Sequence, residues 1–435
     1  MNIEKQKIRI KNILKKDLIK VFSLSGVSTI VKLITGIIRT KVVAMLIGPS
    51  GIALVSQLND TIQLFSKISN GGMTIGVTKY VAEFKDSETK CKSILSNSLK
   101  ITLILSTLSG LILIIFSDYF SRIILTDKSY QSIFIVFGFS IILFAINRLL
   151  LAIINGFKEF TKFIKINIIS KIVILVYSII LIYFLGIYGA LLSAVTSQSI
   201  VLIITIFVII KNPWFKKQNF MGKFNLDILK KLSGFTLLTA FTFFLGPIAL
   251  ITVRSFIIRN ISIDAAGYWD GVRRVSGLVI MVITQALTIY LIPRFSELKS
   301  KLKIRKEIIN TYKLVIPILI LSFTIIYLFR DIIITILYTS EFRPMRELFL
   351  FEFIGEFFKT VSWVISIQMI SKAMIKTLFV TEIFGNVFFI LLSFILISNV
   401  GLKGVVYAFT INYIVYLAIM VVIFRKTLFL RYMYK

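Results

Sequence analysis

The chain has 435 residues, 57% hydrophobic and 16% charged, with a formal net charge of +31. A soluble chain carries about 25% charge, and the uncharged run 172–210 is 39 residues long, close to twice the roughly 20 that cross a bilayer as a helix. A soluble enzyme is excluded, and so is a membrane β-barrel, whose strands alternate over about 10 residues.

The residues 1–20 form a basic segment with seven Lys and Arg. They precede a full-length apolar span without a cleavage site, which reads as a retained anchor rather than a leader peptide. Span one, 21–46, places Ser25, Ser28, Lys32 and Arg39 on one helical face. Gly48-Pro49-Ser50-Gly51 makes a turn into span two, 52–77, where Asp60, Gln63, Lys67 and Thr74 form a polar stripe. Within that span Gly71-Gly72-Met73-Thr74-Ile75-Gly76 reads as helix packing rather than a phosphate loop. Spans three and four follow at 101–117 and 133–155, the latter carrying Arg148. The fifth, 172–185, is short and extends into its basic flank, and the sixth is 187–210.

A basic linker, 211–231, holds Asn212-Pro213-Trp214. Span seven, 232–256, sets Thr239, Gly246 and Arg254 near one face, with Pro247 predicting a kink. Span eight, 268–292, carries Asp270, Arg273 and Arg274, and span nine is 314–330. In span ten, 348–370, Glu352, Glu356 and Lys359 fall at i, i+4 and i+7. Spans eleven, 377–398 with Glu382, and twelve, 404–424, precede a basic tail, 425–435.

The loops between these spans alternate in charge. One set, with the two termini, holds 35 Lys and Arg and the other seven. That is a strong positive-inside bias, so both termini of a multi-pass membrane protein are expected in the cytoplasm. The basicity is therefore topological, with attraction to anionic membrane lipids as a by-product, and a nucleic-acid partner is not expected. His is absent and Cys91 stands alone. No His-based catalysis, disulfide or Cys- or His-ligated metal follows, and neither a catalytic residue, a metal nor a cofactor is predicted.

The second half echoes the first. Gly186-Ile187-Tyr188-Gly189 recurs as Gly401-Leu402-Lys403-Gly404, and Gly51 as Gly267. The expected fold is an all-α polytopic membrane protein of about 12 helices in two pseudo-symmetric six-helix lobes, 21–210 and 232–424, around a central cavity. A duplicated helical architecture of this kind points first to a transporter.

Nine cations fall within or near the spans: Lys32, Arg39, Lys41, Lys67, Arg148, Arg254, Arg273, Arg274 and Lys359. Facing lipid, they would cost on the order of 25 kcal/mol at about 3 kcal/mol each. Lys41 and Arg273 can snorkel to the interface; the rest should face water or a partner. The accompanying acids are Asp60, Asp270, Glu352, Glu356 and Glu382. Asp270 and Arg274, at i, i+4, read as an ion pair, although Arg274 stays among the candidate ligands. Lys32, Arg148 and Arg254 have no acid nearby in sequence. The excess of cations predicts a cavity for a large anion, with Lys32, Arg39, Arg148, Arg254, Arg274 and Lys359 as substrate-binding candidates. Asp60 and Glu356 are the candidate coupling acids, unless each pairs with its basic neighbour, Lys67 or Lys359.

Several stretches resemble the Wzx-type polysaccharide flippases: Gly76-Val77-Thr78-Lys79-Tyr80-Val81-Ala82-Glu83, Gly48-Pro49-Ser50-Gly51, Gly267-Tyr268-Trp269 through Tyr290-Leu291-Ile292-Pro293-Arg294, Arg330-Asp331, and Phe342-Arg343-Pro344-Met345-Arg346-Glu347-Leu348-Phe349. The similarity runs from about residue 20 to 425. This group includes lipid III flippases and O-antigen translocases, within the multidrug/oligosaccharidyl-lipid/polysaccharide exporter superfamily. The resemblance implies a multi-pass protein of the bacterial inner membrane, alternating access and an undecaprenyl-pyrophosphate-linked glycan as substrate, with a polysaccharide polymerase as a protein partner. Lys32, Lys79, Arg254 and Lys359 match basic positions of the pattern, whereas Arg39 and Arg148 depart from it. Three other readings compete. A cation-coupled multidrug antiporter would want an acidic cavity. A membrane glycan polymerase would want a large external loop. A scaffold would not need charge on so many helices.

Overall fold

The computed structural model describes residues 26–429 except 224, without the side chains of 226, 227 and 229–243. The basic segment 1–20, Ser25, the Thr239 side chain and the end of the tail lie outside the described residues.

Among the described residues the chain is helical throughout, without a strand. In chain order the helices are α1 (26–46), α2 (Pro49–Ser69), α3 (Thr74–Phe84), α4 (Glu88–Ile115), α5 (Ser117–Ile124), α6 (Gln131–Gly156) and α7 (Phe160–Ile209). They continue as α8 (Leu226–Asn260), α9 (Ile263–Glu297), α10 (Lys301–Leu328), α11 (Arg330–Leu337), α12 (Phe349–Ser371), α13 (Ile375–Val400), α14 (Lys403–Ile423) and α15 (Arg425–Leu428). Seven of the described helical segments are long and apolar enough to cross a bilayer, namely α4, α6 with its preceding turn, α7, α9, α10, α13 and α14. The protein is a polytopic helical membrane protein.

One predicted span is broken in two, and the fifth extends into its basic flank as expected. Span two is not continuous: Gly71 and Gly72 adopt φ of +53° and +63°, a conformation that ends a helix, so the segment divides into α2 and α3. The glycine cluster is thus a helix break as well as a packing site. The fifth span is longer than its apolar core. It starts at Phe160, and Lys165 and Lys171, counted from sequence as loop residues, sit on helix.

The duplication is visible in the backbone. Gly186 (φ 56°, ψ −132°) splits the 50-residue α7 into two segments, and Gly401 (φ 65°, ψ −146°) makes the same turn between α13 and α14. Only glycine enters that region without strain. The α4–α5 pair has 28 and 8 residues, and α10–α11 also has 28 and 8. The second copies of Gly189 and Gly51 differ in value. A methyl at Gly189 or Gly404 would strike the preceding helix backbone, at Leu181 or Leu396. One at Gly267 would strike the Pro49 carbonyl, whereas Gly51 faces only the Ile47 and Val43 side chains.

The chain forms two compact units, Met1–Val42 with Ile62–Ala240, and Val43–Thr61 with Phe241–Lys435. The first half of α2 therefore belongs to the second unit. In the first unit α3, α4, α6 and α7 bury Val77, Val81, Leu95, Ile153 and Ile166. The close approach of α4 and α6 depends on Gly110 and Gly138, where an added methyl on either would collide with the other's carbonyl. The linker docks onto this unit. Asn212 Nδ2 and Trp214 Nε1 donate to the Glu159 carboxylate (2.9 and 3.0 Å), and Gly222 N–H donates to Ser96 Oγ (2.7 Å). In the second unit Ile365, Met369, Tyr416 and Met420 form a core between α12 and α14. Tyr338 donates to the Gly271 carbonyl at 3.0 Å. On its surface Lys403 bridges Glu347 at 2.8 Å, and this hydrogen bond holds the Glu347 carboxyl below its ordinary range.

Candidate functional site

The intramembrane charges divide unevenly between the units. Helices 26–46, 131–156 and 160–209, and the stretch 62–82, contain no Asp or Glu. They carry Lys32, Arg39, Lys41, Lys67, Lys79, Arg148, Lys162, Lys165 and Lys171. Lys171 feels the charges of Lys32, Arg39 and Arg148, and Lys67 that of Arg148, so these cations form one electrostatic group on α1, α2, α6 and α7. Arg39 Nη2 reaches Ser193 Oγ at 3.5 Å, and the Arg148 guanidinium lies 5.3 Å from the Phe144 ring. Lys32 is exposed on α1.

Arg148 also lines a cavity of about 610 Å³ within the first unit, together with Lys79, Thr78, Asn155, Asn167 and Gln198. The polar wall is held by a hydrogen-bond chain. Thr205 donates to Asn147 Oδ1 (2.7 Å), and Asn147 Nδ2 donates to Gln198 Oε1 (3.2 Å). The sequence places Lys171 only in the basic flank of the fifth span and Lys79 only in the flippase pattern, neither among the ligand candidates. The absence of acids over 160–209 was the signal available for Lys171. A cationic wall of amides, hydroxyls and basic groups suits a phosphate-bearing ligand, because charge-assisted hydrogen bonds to phosphate are strong in a site of reduced dielectric.

The second unit is built differently: it holds all five acids, Asp60, Asp270, Glu352, Glu356 and Glu382, beside four of the nine cations. Arg254, which from sequence has no acid within reach, is 1% exposed and saturated. Its Nε and Nη2 donate to Asp270 (2.6 and 2.9 Å), Nη2 also pairs with Asp60 (2.9 Å), and Nη1 donates to Gln57 Oε1 (2.7 Å). Gln57 is oriented in turn by donating to Ser255 Oγ (2.7 Å) and the Ile251 carbonyl (3.2 Å). The guanidinium lies 5.9 Å from the Trp269 ring. This geometry ties α2, α8 and α9 together and leaves Arg254 no free face for a ligand.

Asp60 therefore pairs with Arg254 rather than with Lys67. Asp270 serves Arg254, with Arg273 at 3.6 Å, and not Arg274. Arg274 instead donates to Ser56 Oγ at 2.9 Å. The local i, i+4 rule failed because a bidentate partner from another helix competes better for the carboxylate than a one-turn neighbour. Glu356 does pair with its neighbour Lys359 (3.0 Å), which lies 5.5 and 5.7 Å from the Phe409 and Tyr413 rings. Glu352 is fully buried and accepts only a long bond from Ser276 (3.4 Å). Lys359 and Arg273 line a second cavity, of about 310 Å³, with Glu382, Asn412 and Tyr413.

Residues 18–299 match the model of a family described as polysaccharide biosynthesis protein. The lipid III flippase of Escherichia coli (strain K12) is 28% identical over 397 residues, covering 91% of this chain and 95% of that protein. An inward-facing multidrug resistance MATE family transporter of the MOP superfamily superimposes with a TM-score of 0.76 at 16% identity, over 91% of this chain and 94% of that one. The lipid II flippase MurJ, in an inward closed conformation, gives 0.72 at 16% identity, over 94% and 90%. The fold is thus shared with both transporters, the resemblance read from the sequence motifs holds, and the chain belongs to the polysaccharide biosynthesis protein family.

Proposed function

We propose that the chain is a flippase rather than an enzyme, moving an undecaprenyl-pyrophosphate-linked oligosaccharide from the cytoplasmic to the periplasmic leaflet by alternating access. Both termini would be cytoplasmic and the chain would span the membrane twelve times. The relation to a lipid III flippase over most of both chains supports the substrate class. The observation that carries the reading is the first unit's cavity of about 610 Å³, which Lys79 and Arg148 line together with Thr78, Asn155, Asn167 and Gln198. A basic and polar cavity of reduced dielectric suits an anionic ligand, because charge-assisted hydrogen bonds to phosphate are strong there. The pyrophosphate and any acidic sugar supply that charge, while the polyprenyl tail stays in lipid. A polysaccharide polymerase is the protein partner expected to take the product.

Of the substrate-binding candidates, Lys32, Arg39 and Arg148 keep that role, joined by Lys171. Arg254 becomes a structural centre. Arg274 and Lys359 contribute from the second unit, and Asp60 and Glu356 act first as ion-pair partners. One observation favours an antiporter instead: the second unit has five intramembrane acids to four cations. Reconstitution separates the two. In proteoliposomes holding a labelled undecaprenyl-pyrophosphate glycan, the purified protein should expose the sugar of the inner leaflet to external periodate. Efflux of cationic drugs against a sodium or proton gradient, with the glycan left unmoved, would replace the flippase reading by the antiporter.

A further inference from the structure

The 310 Å³ cavity of the second unit differs chemically from the cationic wall of the first. Its two cations are already compensated, Lys359 by Glu356 and Arg273 by Asp270. The remaining wall combines aromatic rings, Trp363, Tyr413 and Tyr416, with polar groups from Asn386, Asn412 and Glu382. The most telling atom is Asn412 Oδ1. Asn412 is 5% exposed, and this oxygen has no hydrogen-bond partner among the described residues. A buried acceptor left unpaired is costly and calls for a donor.

We propose that this cavity is a saccharide subsite. It takes a pyranose ring of the glycan, with an apolar ring face on the aromatic wall and a hydroxyl hydrogen-bonded to the Asn412 side-chain amide. The inference rests on the flippase reading and adds a sugar-reading site within the second unit. Three features fit a pyranose. The volume lies at the small end of ligand pockets, about 300–1,000 Å³. Aromatic side chains offer apolar area with polar tips. The compensated charges add orientation without a net demand for an anion.

The test uses the full-length protein in nanodiscs and two probes, undecaprenyl pyrophosphate and the same lipid bearing one N-acetylhexosamine. The wild type should bind the glycosylated probe more tightly. Asn412→Leu and Trp363→Leu should each weaken that probe about five- to tenfold, the range of one lost hydrogen bond or ring contact. Neither should change binding of the sugar-free lipid, and this unchanged binding shows that the variants are folded. Equal losses for both probes, or no loss for either, would overturn the subsite while leaving the flippase reading intact. Failure of the wild type to bind either probe would overturn both. Repeating the titration with choline in place of sodium adds one more discriminator. If the effect of Asn412→Leu vanishes without sodium, Asn412 serves a cation and the saccharide assignment is wrong.

Discussion

Replacing Arg254 by Met should destabilise the protein rather than abolish ligand binding selectively. The guanidinium is 1% exposed and engages Asp270, Asp60 and Gln57 through contacts of 2.6–2.9 Å. Removing it leaves two carboxylates and an amide oxygen without their donor in a site closed to water. Breaking a buried ion pair by deleting one partner costs about 3–5 kcal/mol. For a cooperative unit of roughly 150–250 residues, 1 kcal/mol corresponds to about 2–4 °C, so the unfolding midpoint should fall on the order of 10 °C. The assay is thermal unfolding of detergent-solubilised protein, read together with membrane abundance. Neutralising the stranded acids, as in Arg254→Met with Asp60→Asn and Asp270→Asn, should recover much of the loss, because a buried pair replaced by neutral groups is often near-neutral in stability. Arg254→Lys should be intermediate, since it keeps charge but not the fork that meets Asp270 with two bonds. A ligand-binding Arg254 would give the opposite pattern. A variant with wild-type midpoint and abundance that no longer flips glycolipid would refute the reasoning.

Asp60→Asn and Glu356→Gln should retain gradient-dependent flipping while lowering abundance, as ion-pair partners do; loss of gradient dependence at normal abundance would make the altered acid the coupling group. In a Cys91→Ser background, cysteines at Ser129 and Ser340, both exposed, should label from outside intact cells, and those at Asn219 and Ser300 should not; external labelling of Asn219 would overturn the twelve-span topology. Gly110→Val should cost about 1–3 kcal/mol by forcing α4 and α6 apart, read as a fall in abundance, whereas Gly246→Ala, at a position with nothing within 4 Å of the added methyl, should be tolerated.

Much of the architecture is legible in sequence because bilayer physics acts locally. Apolar length and the Lys/Arg bias place spans without any tertiary information, and the glycine repeat marks the turns at Gly186 and Gly401. The helix break at Gly71 and Gly72 is harder to see, since paired glycines serve both packing and chain reversal. The site is legible only by residue type. The charges on α1, α6 and α12 stand out in an apolar chain, but their partners depend on which helices meet. Arg254 and Asp60 lie 194 positions apart in sequence, and no periodicity connects them. Lys171 was missed as a ligand for the converse reason: the extension of the fifth span into its basic flank is legible, but not which residues of that flank the helix, begun at Phe160, brings near other cations.

The central claim is that the first unit's cations bind the anionic head group. It is tested most directly by measuring undecaprenyl-pyrophosphate-glycan flipping in proteoliposomes for Lys32→Ala, Arg148→Ala and Lys171→Ala, singly and together, at matched protein content. Each single change should weaken head-group binding roughly five- to hundredfold, the effect of losing about 1–3 kcal/mol of charge-assisted hydrogen bonding, with Arg148→Lys partly active and the triple variant inactive but folded. Wild-type flipping by the triple variant at wild-type abundance would contradict the account.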